Sequence, residues 1–284
     1  MKISVAKDAG YCFGVRDAVN LAYETAHEHG EVYMLGHIVH NEHVVHDLGQ
    51  AGARVVDTMS AIPSEKPVLF RAHGTETEVW SKAEKKNLNI IDATCPLVKE
   101  IHHEVKKLTQ EDRPVIIIGD HGHDEVVGIA SQVENAVVVA TADEAKRLRK
   151  MKRAGVVSQS TQSIENVQAI INILMTKVFD LRFVNTICFP TKRNQEQIIE
   201  LAKESDAIII IGSFTSANSK RLALLSSQVN PVTYQVNSAD ELDELWFRDV
   251  AHVGISAGAS TPDYLIEEVK ARIEQFITEL EEVC

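Results

Sequence analysis

The chain has 284 residues and a formal net charge of −12, with 44% hydrophobic and 25% charged residues. That length sits where one hydrophobic core stops growing and chains divide, so two or three compact units are expected rather than one. The composition excludes wholesale disorder, the acidic balance argues against a nucleic-acid partner, and no apolar run approaches the roughly 18 residues of a membrane span. The short apolar stretch Ile3–Ala6 is too brief for a signal peptide, so the expectation is a cytoplasmic protein without disulfides. Its four cysteines, Cys12, Cys95, Cys188 and Cys284, then need another explanation, and none of them forms a C-x-x-C pair.

In chain order, Cys12 is followed by a helical pattern from about Val15 to His27, with Val15, Ala18, Val19 and Ala22 on one face. A strand at Val32–Leu35 ends in Gly36, and a second strand, Val68–Phe70, runs into the polar loop Ala72-His73-Gly74-Thr75. After Cys95 the pattern repeats. A helix over Leu97–Leu108 places Val98, Ile101, Val105 and Leu108 together, Val115–Ile118 ends in Gly119, and Gly155–Val157 runs into Gln159-Ser160-Thr161. After Cys188 comes a helix over Gln195–Lys203 with Ile198, Leu201 and Ala202. Ala207–Ile211 then ends in Gly212, and His252–Ile255 runs into Gly258-Ala259-Ser260-Thr261, with Pro262 suited to a first helical turn.

Each glycine lies 24 residues after its cysteine: 12 to 36, 95 to 119 and 188 to 212. Four residues past the glycine stands His40, His123 or Ser216, and two further on Glu42, Glu125 or Asn218. Coincident registers of this kind mark an internal repeat. The expected organisation is three α/β units, 1–95, 96–187 and 188–284, with Cys95 at a boundary and a C-terminal helix and tail closing the third. Turns after parallel strands gather at the carboxyl edge of a sheet, where ligands bind, and helix N-termini there favour anions. Three units facing one another around a pseudo-threefold axis would bring three thiolates to one point.

Three thiolates suit an iron–sulfur cluster or zinc. Taken singly, each cysteine reads as a small buried hydrophobe; their matched offsets argue against that, and Cys284 lies outside the register. His37, His40, His43 and His46 fall at three-residue steps, but His40-Asn41-Glu42-His43 is not H-E-x-x-H, and most of these histidines are expected to be solvated. His40, His73 and His123 differ because the repeat sets each in a loop of the expected site, where imidazole N–H groups donate to phosphate oxygens. Glu125 reads either as a proton donor near an anion or as a first-turn helix glutamate favoured by the dipole. Neither a P-loop nor a dinucleotide fingerprint is present, so a redox enzyme built this way draws its electrons from an external protein. A zinc-dependent hydrolase of a phosphorylated metabolite, and a non-catalytic diphosphate-binding or cluster-carrier protein, remain as alternatives.

Several stretches carry a resemblance that covers nearly the whole chain. They are Gly10-Tyr11-Cys12-Phe13-Gly14-Val15, Val39-His40-Asn41, Ala72-His73-Gly74, and Asp92-Ala93-Thr94-Cys95-Pro96-Leu97-Val98. Further matches are Gly122-His123-Asp124-Glu125-Val126, Gln159-Ser160-Thr161, Ile187-Cys188, Ser216-Ala217-Asn218-Ser219 and Ala257-Gly258-Ala259-Ser260-Thr261-Pro262-Asp263. On these residues the chain resembles the 4-hydroxy-3-methylbut-2-enyl diphosphate reductases, iron–sulfur enzymes that close the non-mevalonate isoprenoid pathway.

The resemblance implies an α/β trefoil of three pseudo-threefold-related units around a central iron–sulfur cluster. It implies Cys12, Cys95 and Cys188 as ligands of a 4Fe–4S cluster with one open iron, whose loss leaves a 3Fe–4S form. His40, His73, His123, Ser216, Asn218 and Ser260 would hold the diphosphate. Glu125 would deliver protons, with His123 beside it and the hydroxyl of Ser160 or Thr161 positioning the substrate alcohol. The implied reaction is reductive dehydroxylation of the allylic diphosphate to isopentenyl and dimethylallyl diphosphate, with ferredoxin or flavodoxin as electron donor. Three departures stand out: Ser160 where the family usually shows Thr, Ala217 where serine is frequent, and Arg193 five residues after Cys188, with Asn194 at six, where arginine is usual. Lys146–Arg153 carries six cations in eight residues, a candidate surface for docking an acidic donor, although charge runs are usually solvated faces.

Overall fold

Runs of Val and Ile only four or five residues long are too short for buried helices and become strands covered on both faces. The computed structural model describes residues 1–282, and the reading of Cys284 as a non-ligand lies outside them. Strand β1 (Lys2–Val5) and helix α1 (Phe13–His29) open the chain. Next come β2 (Val32–Leu35), α2 (Glu42–Gln50), β3 (Ala53–Val56), β4 (Pro67–Phe70), α3 (Thr77–Lys85) and β5 (Asn89–Asp92). Helix α4 (Pro96–Gln110) leads to β6 (Val115–Ile118), α5 (Asp124–Ala130), β7 (Val137–Val139), α6 (Ala142–Arg147), β8 (Met151–Ser158), α7 (Ile164–Met175) and β9 (Val178–Phe183). Helix α8 (Phe189–Glu204) leads to β10 (Ala207–Ile211), α9 (Ala217–Val229), β11 (Thr233–Val236), β12 (His252–Ala257) and α10 (Asp263–Glu282).

Among the described residues these strands form three parallel four-stranded sheets, ordered β3-β2-β4-β5, β7-β6-β8-β9 and β11-β10-β12-β1. Within each sheet the pattern is second, first, third, fourth, so the repeat read from spacing is a repeat of topology. One strand breaks the contiguous division into thirds. β1 pairs in parallel with β12, Lys2 opposite His252, and supplies the fourth strand of the sheet built from the C-terminal third. Packing groups the chain into two compact units: Met1–Val15, His40–Val44 and Phe189 onward form one, and Arg16–Val39 with Val45–Cys188 the other. The second unit holds two of the sheets.

Alternation along each central strand feeds two cores. Ile116 and Ile118 of β6 join Val167, Ile170 and Leu174 of α7, whereas Val115 and Ile117 face Ile101, Val105 and Leu108 of α4. In β10, Ile209 and Ile211 meet Leu265, Val269 and Ile273 of α10, and Ile208 and Ile210 meet Ile198 and Leu222. Each such fully buried side chain contributes roughly 1.5–3 kcal/mol relative to exposure. No helix among the described residues is long and apolar enough to cross a membrane.

Helix α8 begins six residues earlier than the apolar spacing predicts. Its first turns, Phe189-Pro190-Thr191-Lys192-Arg193-Asn194, bury polar side chains (Thr191, Asn194 and Gln195), so hydrophobic periodicity is silent there. Pro190 is tolerated because a first-turn N–H needs no intrahelical partner. Strand β8 likewise starts at Met151 rather than Gly155, because its first residues are a charged, exposed edge.

Candidate active site

Parallel strands send every functional turn to the carboxyl edge of its sheet, and the three cysteines occupy one position in that scheme. Cys12 lies in the turn after β1, Cys95 after β5 and Cys188 after β9, in each case the fourth strand of a sheet and directly before a helix. Their backbone N–H groups donate to the turn after the third strand: Cys12 to Ala259 O at 3.3 Å, Cys95 to Ala72 O at 3.0 Å, and Cys188 to Ser160 O at 2.9 Å. All three thiols are partly buried rather than sealed in an apolar core. A thiol at a helix N-terminus is biased toward thiolate by the dipole. Three thiols held this way fit the donor set of an iron–sulfur cluster.

In the larger unit, contacts join the predicted residues into one line. From Cys188 the line passes to Ser160, whose N–H donates to Glu125 Oε1 at 2.6 Å and whose hydroxyl donates to Glu125 Oε2 at 2.8 Å. Glu125 is 2% exposed. Its own N–H donates to Nδ1 of His123, the N-cap of α5, at 3.1 Å. The His123 and His73 rings meet edge to face, with centroids 5.8 Å apart. His73 follows Ala72, whose carbonyl takes the Cys95 N–H. Between the two sequence candidates, the hydroxyl that reaches Glu125 is that of Ser160; Thr161 Oγ1 instead accepts from Gln159 Nε2 at 3.1 Å.

The smaller unit repeats the construction with other side chains. Ser260, one residue past the Cys12 partner Ala259, donates its hydroxyl to His40 O at 3.0 Å. Two residues on from His40, Glu42 accepts from Ser213 Oγ at 2.8 Å and Thr215 Oγ1 at 3.2 Å. Ser216 caps α9 by accepting the Ser219 N–H. Asn218 is buried, and its Nδ2, like that of buried Asn41, has no hydrogen-bond partner. Buried N–H donors without partners are costly, and an anion would satisfy them.

Glycine at the 24-residue register has a steric reason. A Cβ on Gly119 would lie 2.6 Å from Val126 Cγ2, and one on Gly212 would collide with the Ser219 hydroxyl; in both cases the blocking residue is seven positions on, on the helix whose start carries the site residues. Gly212 also holds φ +150°, a conformation that disfavours side chains.

Sequence reasoning missed the groups that brace these turns. Asp8, in the Cys12 turn, pairs with Arg193 Nη2 at 2.6 Å, donates its N–H to Gln197 Oε1 at 3.0 Å and accepts from Gln197 Nε2. Arg193, the departure noted above, thus holds the Cys12 turn to α8. Arg71 bridges to Asp124 at 2.7 Å beside His73 and His123. Of these groups, Glu42 left a signal as the repeat counterpart of Glu125 and Arg193 as a departure in spacing, whereas Asp8, Gln197 and Arg71 left none. Other candidates fall away from the site. His37 and His46 are exposed, as expected of solvated histidines. The cations of Lys146–Arg153 are exposed at the amino end of β8, whose eight residues span roughly 26 Å to the edge bearing Ser160.

Residues 3–274 match the family model described as LytB protein. A curated relative from Geobacter sulfurreducens, a 4-hydroxy-3-methylbut-2-enyl diphosphate reductase, is 43% identical over 97% of this chain and 98% of its own. One of the same description from Geobacter metallireducens is 41% identical, with the same shares covered. A solved structure of (E)-4-hydroxy-3-methyl-but-2-enyl diphosphate reductase, the terminal enzyme of the non-mevalonate pathway, is 40% identical with a TM-score of 0.72 over 97% of this chain and 100% of that one. The Plasmodium falciparum reductase structure is 26% identical with a TM-score of 0.89, covering 96% of this chain and 87% of its own. Alike in sequence and fold along almost its whole length, this chain belongs to the LytB family.

Proposed function

We propose that the chain catalyses reductive dehydroxylation of 4-hydroxy-3-methylbut-2-enyl diphosphate to isopentenyl and dimethylallyl diphosphate. The allylic C–O bond breaks, two electrons and two protons enter, and water leaves. The observation that carries this reading is the line Cys188–Ser160–Glu125–His123–His73–Cys95. It sets a buried carboxyl, a hydroxyl and two imidazoles between two thiol-bearing turns.

Family membership implies an iron–sulfur cofactor, and we assign its protein ligands to Cys12, Cys95 and Cys188. A 4Fe–4S cluster so held would supply single electrons and one Lewis-acidic iron without a protein ligand. The side chains do the rest. His40, His73, His123, Ser216 and Asn218 donate to the diphosphate, and Ser260 joins them when its hydroxyl turns from the His40 carbonyl to the ligand. Donors to a charged acceptor contribute roughly 1.5–3 kcal/mol each, enough for micromolar binding after association costs. Ser160 directs the substrate alcohol, and Glu125 holds the proton that converts hydroxide into a leaving water. His123 orients Glu125 through the backbone bond at its N-cap. With no nucleotide-binding fingerprint in the chain, the electrons are assigned to a cytoplasmic ferredoxin or flavodoxin.

The test is anaerobic turnover of the allylic diphosphate by holoenzyme with a reduced donor, with products separated by chromatography. Formation of both isopentenyl and dimethylallyl diphosphate is expected. Binding of the diphosphate without turnover, whatever the reductant, would reduce the protein to a binding module.

A further inference from the structure

Helix α4 carries two stripes. Val98, Ile101, Val105 and Leu108 bury themselves in the core, and Lys99, His102 and Lys106 recur at steps of three and four along another face. Those three side chains line a cavity of about 540 Å³ together with Thr75, Trp80 and Thr94. The size suits a small metabolite. Thr75 and Thr94 adjoin the turns that carry His73 and Cys95, so the cavity backs onto both turns.

Two of its polar groups lack partners. Thr75 is 4% exposed, and its hydroxyl has no hydrogen-bond partner; Nε2 of His102 is also buried without one. Burial, with Lys106 nearby, pushes the His102 imidazole down to about 4, so the ring is neutral at pH 7 and donates or accepts according to its tautomer. The charges inside are unequally matched. Asp92 is taken up by Lys99 at 2.7 Å and by Thr94, whereas no carboxylate among the described residues pairs with Lys106. The remaining carboxylate, Glu84, is exposed. The lining therefore offers an exposed ammonium, a buried hydroxyl and a part-buried imidazole to an incoming group, with the Trp80 ring beside them.

We propose that this cavity, behind the His73 and Cys95 turns, is a second ligand site for a small phosphate-bearing metabolite. Phosphate rather than carboxylate is favoured because its three or four oxygens can accept from the Lys106 ammonium, the Thr75 hydroxyl and the His102 imidazole together, where a carboxylate presents two. The site asks nothing of the cofactor and stands whether or not the catalytic reading holds.

The test uses Trp80 as reporter. The chain has two tryptophans, so Trp246→Phe leaves Trp80 alone. Inorganic diphosphate titrated into holoenzyme of that variant should give a saturable change in Trp80 emission. Lys106→Ala should move its midpoint up by about tenfold or more, the worth of a charged hydrogen bond. The same substitution should leave the KM for the allylic substrate within about twofold, because Lys106 stands outside the diphosphate turns. Adding Asn218→Ala, which weakens the substrate site, should leave the Trp80 response in place. No saturable response up to millimolar diphosphate would overturn the site. So would a response abolished by Asn218→Ala and untouched by Lys106→Ala.

Discussion

Glu125 accepts two hydrogen bonds from one residue, Ser160, and that pairing decides what its replacement should do. Glu125→Gln keeps the size and one acceptor oxygen but loses the transferable proton. The expected result is a fall in kcat of about 10²-fold or more with little change in KM, read from anaerobic product formation. Normal turnover would remove Glu125 from the proton path. His102 gives a second prediction through its depressed pKa, caused first by burial. Below pH 6.5 the unfolded chain takes up a proton that the folded ring refuses until about pH 4, so stability falls as the pH drops through that window. Thermal midpoints measured from pH 7 to about 5 should therefore fall more steeply for the wild type than for His102→Gln. Parallel profiles would show that burial of this ring carries no such cost. Cys12, Cys95 and Cys188, with the polar residues at 40, 123 and 216 and at 42, 125 and 218, are legible because they recur at a fixed offset. Asp8 is not, because its partners Arg193 and Gln197 are 185 and 189 residues away and leave no local pattern.

At the scale of elements, strand-to-helix junctions carry the site, and their tight packing is testable. Gly119→Ala forces a methyl group against Val126 and should destabilise the protein by about 1–3 kcal/mol in denaturant titration. An unchanged midpoint would mean that α5 shifts freely. Arg193→Ala removes the ion pair between the Cys12 turn and α8 and leaves only the Gln197 hydrogen bonds to Asp8. Less iron should then be recovered per chain while far-ultraviolet circular dichroism stays constant; full iron content would make the Asp8 pair incidental. Strands β6 and β10 were readable from unbroken Ile and Val runs. The start of α8 was not, because its buried face is polar, and a pattern method counts Thr191, Asn194 and Gln195 as solvent-facing.

Across the whole molecule, the internal repeat points to three α/β units, yet it does not reveal that β1 completes the sheet of the C-terminal third. Strand partners are chosen by tertiary packing, and Lys2–Val5 carries no mark of where it pairs. Charge leaves a similar gap. A net −12 with one cationic run suggests a docking face, and the run lies at the amino edge of its sheet, at the other end of β8 from Ser160. What unites the chain is one thiol-bearing turn per repeat. The most direct measurement is iron, zinc and acid-labile sulfide in anaerobically purified protein, wild type beside the single serine variants of Cys12, Cys95, Cys188 and Cys284. The wild type and Cys284→Ser should hold about four irons and about four sulfides per chain, or about three irons where the open one is lost, and each of the other variants should lose most of both. Zinc without sulfide in the wild type, or a full cluster retained in Cys95→Ser, would contradict the iron–sulfur reductase.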